Sequence, residues 1–338
     1  MANDHLPPFL RALLHSDRYD HPAPDVALVQ THISSVILAG DYVYKFKKPV
    51  NFGFLDFSDL DKRRACCEQE IVLNRRLCPA IYLGLVTVTA EPDGGFALNG
   101  SGPVVEYGVK MTRMPEERMM VRLIRAGQLQ ADHIDALVAV LADFYRRAAN
   151  GPEIARFGTA AAVAVNVLEN FDQTRTFIGQ GALEQAQFEA IAGFARSFLA
   201  DEPLFAQRIA GGFIRDCHGD LYSANICLAD QVYIYDCIEF NQRFRYCDVA
   251  SDVAFLTMDL EFHGLDHLAA RFVDRFVQAT DDPGLRSMLN FYQCYRAYVR
   301  GKIGLFTAAD PAVDQAVRTA SIEQAARYFR LAQRYAVS

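Results

Sequence analysis

Positive charge is in short supply: 34 Lys and Arg face 41 Asp and Glu, for a formal net charge of −7. A general nucleic-acid binder needs clustered excess cations to neutralise phosphates, so no nucleic-acid partner is expected. Long hydrophobic runs are missing too. No stretch reaches about 18 unbroken apolar residues, so no membrane-crossing helix is expected. The opening MANDHLPPFLRALLH has no basic segment followed by a long apolar one, does not read as a secretory signal, and leaves the cytoplasm as the expected compartment. Eight cysteines are present without one C-x-x-C pair, and Cys217, Cys227, Cys237 and Cys247 fall on separate predicted elements. Reduced, mostly buried thiols fit this better than a zinc site drawing on His218. No internal repeat, low-complexity tract or charge block occurs.

What is present is enough apolar residue, 51% of 338, for a sizeable core, either as two domains or as two lobes around one cleft. Val26–Gln30, Ser35–Ala39 and Tyr42–Lys47 read as strands, with Gly40-Asp41 as a two-residue turn. Ser58 opens S-D-L-D, a capping-box-like start to a helix running to about Leu77. Leu85–Ala90, Phe96–Leu98 and Val104–Met111 follow as strands, separated by Pro92-Asp93-Gly94-Gly95 and Asn99-Gly100. From Pro115 the period changes to helical over Glu117–Ala126, Ala131–Ala149, Thr159–Phe171 and Leu183–Leu199. Two short strands, near Asn225–Leu228 and Val232–Tyr235, interrupt the helices, which resume at about Asp248. The expected fold class is α+β: an extension over 1–25, a small β-rich lobe over 26–113 and a larger helical lobe over 114–338.

The interruption carries the chemistry. Residues 218–228 read HGDLYSANICL, and IYDCIEF follows. Phosphoryl transfer from ATP asks for a cation on the phosphates, oxygen ligands on Mg²⁺ and a base beside the acceptor hydroxyl. Asp220 and Asn225 stand five apart on a predicted loop, which lets both side chains point into one small volume. Asn225 offers a neutral amide oxygen and Asp236 a carboxylate, a set suited to a hard cation. Asp220 is then free to orient and deprotonate the hydroxyl. The plainer alternative is an Asx-type turn with Asp236 as a strand-end acceptor.

Upstream, Lys45 sits in V-Y-K-F-K-K, sharing a strand face with Val43. Cys66, Glu70, Leu73 and Leu77 fall on one helical stripe, so Glu70 needs a cation to meet it. Lys45 is the favoured partner, aimed at ATP phosphates. The alternative pairs Glu70 with Arg63 and leaves the phosphate to Lys47 or Lys48.

These motifs, in this order over roughly Val26 to Phe306, resemble the aminoglycoside phosphotransferase family, relatives of choline kinases within the protein-kinase-like fold. The resemblance is to a bacterial group in which such a domain is often followed by a P-loop ATP-binding domain. No G-x-x-x-x-G-K-[ST] occurs here, so a stand-alone form is expected. The resemblance implies a bilobal fold and an alcohol-accepting phosphotransferase using ATP and Mg²⁺. Asp220 would be the base, Asn225 and Asp236 the Mg²⁺ ligands, and Lys45 with Glu70 the phosphate clamp. The backbone from about Glu106 to Met111 would be the hinge that meets adenine. Two departures stand out. Tyr222 occupies a position that is usually His in these enzymes, and the loop expected over the phosphates, Thr31 to Ser35, has no glycine and offers the Ser34 and Ser35 hydroxyls instead. Both motivate a rival reading as a nucleotide-binding regulatory pseudokinase. A protein kinase is disfavoured by the twelve-residue gap from Asp236 to Asp248.

His218 is expected to anchor the loop, Asp248 to cap the following helix, and Glu239 to fix a loop or to approach metal or substrate. Arg296 and Arg300 share a helical face; a grip on an anionic substrate is one reading, and pairing with Asp252, Asp259 or Glu261 is the commoner fate of such arginines. The acidic set Asp248, Asp252, Asp259 and Glu261 suggests a cationic acceptor such as an amino sugar or amino alcohol. A neutral sugar is the other class considered, and the oligomeric state is left open.

Overall fold

The computed structural model describes residues 6–337. Two compact units divide the chain, Met1–Met119 with Ala229–Asn241 and Met120–Leu228 with Gln242–Ser338. Chain order runs α1 (Pro8–Ala12), β1 (Val26–Gln30), β2 (Ser34–Ala39), β3 (Tyr42–Lys47), α2 (Leu60–Asn74), β4 (Tyr82–Ala90), β5 (Phe96–Leu98) and β6 (Val104–Thr112). Next come α3 (Met120–Arg125), α4 (Ala131–Arg147), α5 (Pro152–Ala155), α6 (Ala160–Thr174), α7 (Gln185–Leu199) and α8 (Glu202–Ala210). Short strands β7 (Ile214–Asp216), β8 (Ile226–Leu228) and β9 (Val232–Ile234) follow. The remainder is α9 (Gln242–Arg245), β10 (Tyr246–Asp248), α10 (Val249–Phe262), α11 (Asp266–Thr280), α12 (Leu285–Ala309) and α13 (Gln315–Val337). The fold is α+β and bilobal, a sheet-rich unit and a helical one.

The first unit is an antiparallel sheet in the order β1-β2-β3-β6-β4-β5. Alternation along β3 decides what each face does. Tyr44 and Phe46 turn to one side, into a core with Ile37, Val86, Val88 and the leucines Leu6, Leu10 and Leu13. Lys45 and Lys47 turn to the other, towards α2. The β2–β3 turn has Gly40 at φ 56°, where an added Cβ would lie 2.2 Å from the Pro22 carbonyl oxygen. No other residue fits there.

Among the differences from the sequence reading are these. The cap of α2 is Asp59, which accepts from the Lys62 N–H, while Ser58 donates to Asp56. Two candidate capping residues in succession cannot be ranked without the chain's path. The segment before α3 is a single 3-10 turn, Glu116–Arg118, because Met119 is extended. Helix α1 was not foreseen; five residues show no period, and its order comes from burying leucines at about 1.5–3 kcal/mol each.

In the second unit every residue of α10 except Glu261 is buried. A helix apolar all round belongs in a core, so the acids within it need partners. Strand β7, which leads into the HGDL segment, pairs antiparallel with β10.

Candidate active site

In the first unit, Lys45 Nζ lies 2.8 Å from Glu70 Oε1 and 2.5 Å from Asp236 Oδ1. The expected pair forms, and Arg63 instead takes Glu106, its Nε 2.9 and 3.0 Å from the two carboxylate oxygens. Lys47 joins as well, at 2.6 Å from Glu70 Oε2 and bonded to Glu239, whose carboxylate also accepts from Cys66 Sγ at 3.3 Å. Burial alone would raise the Glu70 carboxyl, but Lys45 and Lys47 outweigh it and hold it below the ordinary glutamate range. Burial would likewise lower both lysines, and the facing carboxylates hold them above their usual range. Glu239 is thus tied down inside this network. Asp236, paired with Lys45, is the more open acid: its side chain is 42% exposed, on a backbone at φ 62°. Its N–H donates to the Tyr82 hydroxyl at 3.3 Å, and the Cys237 N–H to Asn74 Oδ1 at 2.8 Å. Left-handed backbone at a non-glycine residue costs about 1–3 kcal/mol and persists where the surroundings enforce it.

The turn between β1 and β2 does without glycine because Thr31 closes it. Thr31 Oγ1 accepts from the Ser34 N–H at 2.9 Å and the Ile33 N–H at 3.3 Å. Ser34 and Ser35 are both buried, and Ser34, opposite Lys47 in the ladder, shares its face; its hydroxyl has no partner among the described residues. Glu106 to Met111 lies within β6, laddered to β3 on one side and β4 on the other. This stretch is strand: Gly108 to Met111 ladder to both neighbours, while Glu106 and Tyr107 pair with β4 alone. The chain leaves the sheet after Thr112, one residue past the buried Met111.

In the second unit the HGDL loop is held from below. The His218 N–H and Gly219 N–H donate to Asp252 at 2.7 and 3.0 Å, and the Tyr145 hydroxyl donates to it at 2.9 Å. Arg296 Nη1 donates to the Gly219 carbonyl at 2.9 Å, and the Ser223 N–H donates to Asp259 at 3.0 Å. Gly219 sits at φ 86°. His218, fully buried, accepts the Asp220 N–H on Nδ1 at 3.3 Å. Asn225 Nδ2 lies 3.0 Å from both the carbonyl oxygen and Oδ2 of Asp220. Asp248 caps α10 through the Ala250 N–H and is gripped by Arg208, which also holds Asp282.

No protein-family model matches the chain. Uncharacterized proteins of Mycobacterium tuberculosis and Mycobacterium bovis are 35% identical over 288 residues, 84% of this chain and 56% of theirs. The chain thus spans about half the length of these relatives. Among solved structures, a choline/ethanolamine kinase family protein from Mesorhizobium loti superposes with a TM-score of 0.52, 14% identity and 94% of both chains covered. An amicoumacin kinase solved with AMP-PNP and Ca²⁺ superposes at 0.50, with 12% identity and 94% of both chains covered. The chain has the fold of these two solved proteins.

Each unit presents an oxygen donor of the kind a hard cation takes. With Asn225 Nδ2 spent on Asp220, the amide oxygen of Asn225 is bonded to nothing among the described residues. Asp236 presents a partly exposed carboxylate. Mg²⁺ takes one or two protein oxygens, keeping water and phosphate for the rest. No group of three or more His, Cys, Asp and Glu converges among the described residues, so a dedicated cage of such ligands is not what these side chains build. The cysteines are free, seven of them buried, with burial pushing Cys67 and Cys294 up to about 12. The acidic set is engaged internally: Asp248 and Asp252 as above, Asp259 also near His263, and Glu261 with Gln293, Arg334 and Tyr335. Sequence reasoning underrated Asp252, a fully buried acid in a helix otherwise built for the core. Arg296 does lie 3.8 Å from Asp252, whereas Arg300 has no carboxylate within ion-pair distance among the described residues.

Proposed function

We propose that this chain is an ATP- and Mg²⁺-dependent kinase that moves the γ-phosphoryl group of ATP to a hydroxyl of a small molecule. The observation that carries the reading is Lys45, held between buried Glu70 and partly exposed Asp236. That lysine would release Asp236 to metal and turn to phosphate. Ser34 and Ser35 would line the phosphates, and the adenine would sit against the main chain around Met111. Asp236 and Asn225 would hold Mg²⁺, which neutralises charge on the phosphates. Asp220 would accept the hydroxyl proton as the oxygen bonds to phosphorus and the bond to the bridging oxygen of ADP breaks. Its geometry rests on His218, Asn225 and, through the loop, Asp252; Tyr222, Glu239 and Asp248 support the surroundings. Residues 26–113 would carry the nucleotide and 114–338 the acceptor. A cytoplasmic setting agrees with the finding that no described helix is long and apolar enough to cross a membrane.

The test is calorimetry of ATP with and without Mg²⁺ on the wild type, Asp236→Ala and Asp220→Asn. Binding that needs Mg²⁺, weakens in Asp236→Ala and survives in Asp220→Asn supports the assignment. Wild-type binding without turnover on any hydroxyl acceptor favours the regulatory pseudokinase instead. No nucleotide binding at all sinks both.

A further inference from the structure

The second unit contains a guanidinium with no acid to serve. Most buried arginines here meet a carboxylate: Arg63 at Glu106, Arg208 at Asp248 and Asp282, Arg245 at Asp216. Arg296, one turn before Arg300 on α12, spends its fork on the Gly219 carbonyl and the Ser251 hydroxyl. Arg300 bonds the Tyr328 hydroxyl and, among the described residues, meets neither carbonyl nor carboxylate. Its Nε is buried without an acceptor among the described residues, and no carboxylate lies within ion-pair distance of it. A buried donor left unsatisfied costs about 1–3 kcal/mol, more when charged.

The side chain is nevertheless held in place. Arg300 Cζ lies 4.7 Å from the Tyr222 ring centre and 5.6 Å from that of Tyr328. Each of those rings is backed by another, Tyr222 by Phe255 at 5.3 Å and 9°, Tyr328 by Phe262 at 3.8 Å and 11°. The guanidinium sits in a slot whose walls cannot move independently, so the rotamer entropy of a long side chain is already lost before any ligand arrives. The slot adjoins the catalytic loop, since Tyr222 is two residues past Asp220. Burial alone would lower the Arg300 guanidinium, but Tyr222, Tyr328 and Asp220 hold it above the ordinary arginine range. Arg125 and Arg327 share this region: with Arg300 they help to hold His263 below the ordinary histidine range, an effect led by burial and opposed by Asp259. The acids that could have served a cationic acceptor are spoken for.

We propose that Arg300 is the recognition group for an anionic acceptor, a hydroxyl-bearing small molecule that carries a carboxylate or phosphate. This rests on the kinase reading, in which Asp220 faces the acceptor. A planar fork fixed between two aromatic rings matches the paired oxygens of either anion and rejects an ammonium. Neutral acceptors leave the guanidinium's charge unmatched and bind less well. Charge, rather than size, sets the preference.

The experiment is calorimetry on the full chain loaded with Mg²⁺ and AMP-PNP. The probes are D-glycerate, glycerol 3-phosphate, glycerol and ethanolamine, which differ chiefly in charge. The two anions are expected to bind about tenfold or more tighter than glycerol, with ethanolamine weakest. Arg300→Gln is expected to erase that preference, and Arg300→Lys, which keeps the charge but not the fork, to restore part of it. Ethanolamine binding best, no binding of either anion, or anion binding unchanged in Arg300→Gln overturns the proposal. Arg300→Gln that weakens AMP-PNP relative to ADP, while sparing both anions, assigns the residue to the nucleotide and also overturns it. Nucleotide binding by the wild type, measured first, separates these failures from failure of the kinase reading.

Discussion

Both oxygens of Glu70 are held by lysines two residues apart on one strand, Lys45 Nζ at 2.8 Å from Oε1 and Lys47 Nζ at 2.6 Å from Oε2. The two cations differ in what else they do. Lys47 is closed in by Glu239 with its side chain 1% exposed, whereas Lys45, 13% exposed, reaches Asp236. Lys47→Met should therefore cost stability, about 3–5 kcal/mol in urea unfolding, because it strands buried charge. Lys45→Met should cost less in unfolding and more in Mg·ATP affinity. Equal losses in both assays for the two variants would refute the division of labour.

The pH dependence follows from the directions of the shifts. Glu70 is held below its ordinary 4.5, so its contribution is present above about pH 4.5 and is lost as pH falls through the folded-state value. Lys45 and Lys47 are held above their ordinary 10.5, so theirs is present below about pH 10.5 and is lost as pH rises through their folded-state values. Between those limits the network contributes a constant amount. The stability difference between wild type and Glu70→Gln should stay level from pH 9 to pH 6, windows set by these shifts, and shrink below about pH 4.5. A difference unchanged at pH 3 would contradict it.

Asp252 accepts two backbone N–H groups and a phenol. Asn at that position has one acceptor oxygen in place of two, so Asp252→Asn should cost about 2–4 kcal/mol and release the His218 and Gly219 amides to faster hydrogen exchange. Tyr145→Phe removes a single donor and should cost about 1 kcal/mol, with exchange at those amides barely changed.

Arg63 and Glu106 are both buried and meet through one Nε and two oxygens. Removing either alone should cost about 3–5 kcal/mol, while Arg63→Met with Glu106→Leu should cost far less than the sum. Additive losses would mean that the pair is not coupled.

Much of the sheet was legible. Strands β1, β3 and β5 fall at Val26–Gln30, Tyr42–Lys47 and Phe96–Leu98, as alternation and turn residues predict. The Lys45–Glu70 pair was legible for a different reason: an acid within an apolar stripe requires a cation, and few were available. The part played by Lys47 was not, because its partner Glu239 lies 192 residues away. Nor could the sequence show which of Glu106 to Met111 ladder to β3 as well as β4, since alternation is the same for a strand paired on one side or on both.

By itself the sequence determined the local terms: which faces are apolar, where glycine or threonine closes a turn, and which residues can carry charge near HGDLYSANICL. These depend on neighbours within a few positions, where spacing fixes direction. Only the tertiary structure decided which charges meet. Asp252 and Glu261 are consumed by groups from distant segments, Arg296 by a loop carbonyl, and Arg300 is left between two tyrosines. A long side chain reaches several candidates, and packing of helices far apart in sequence selects among them.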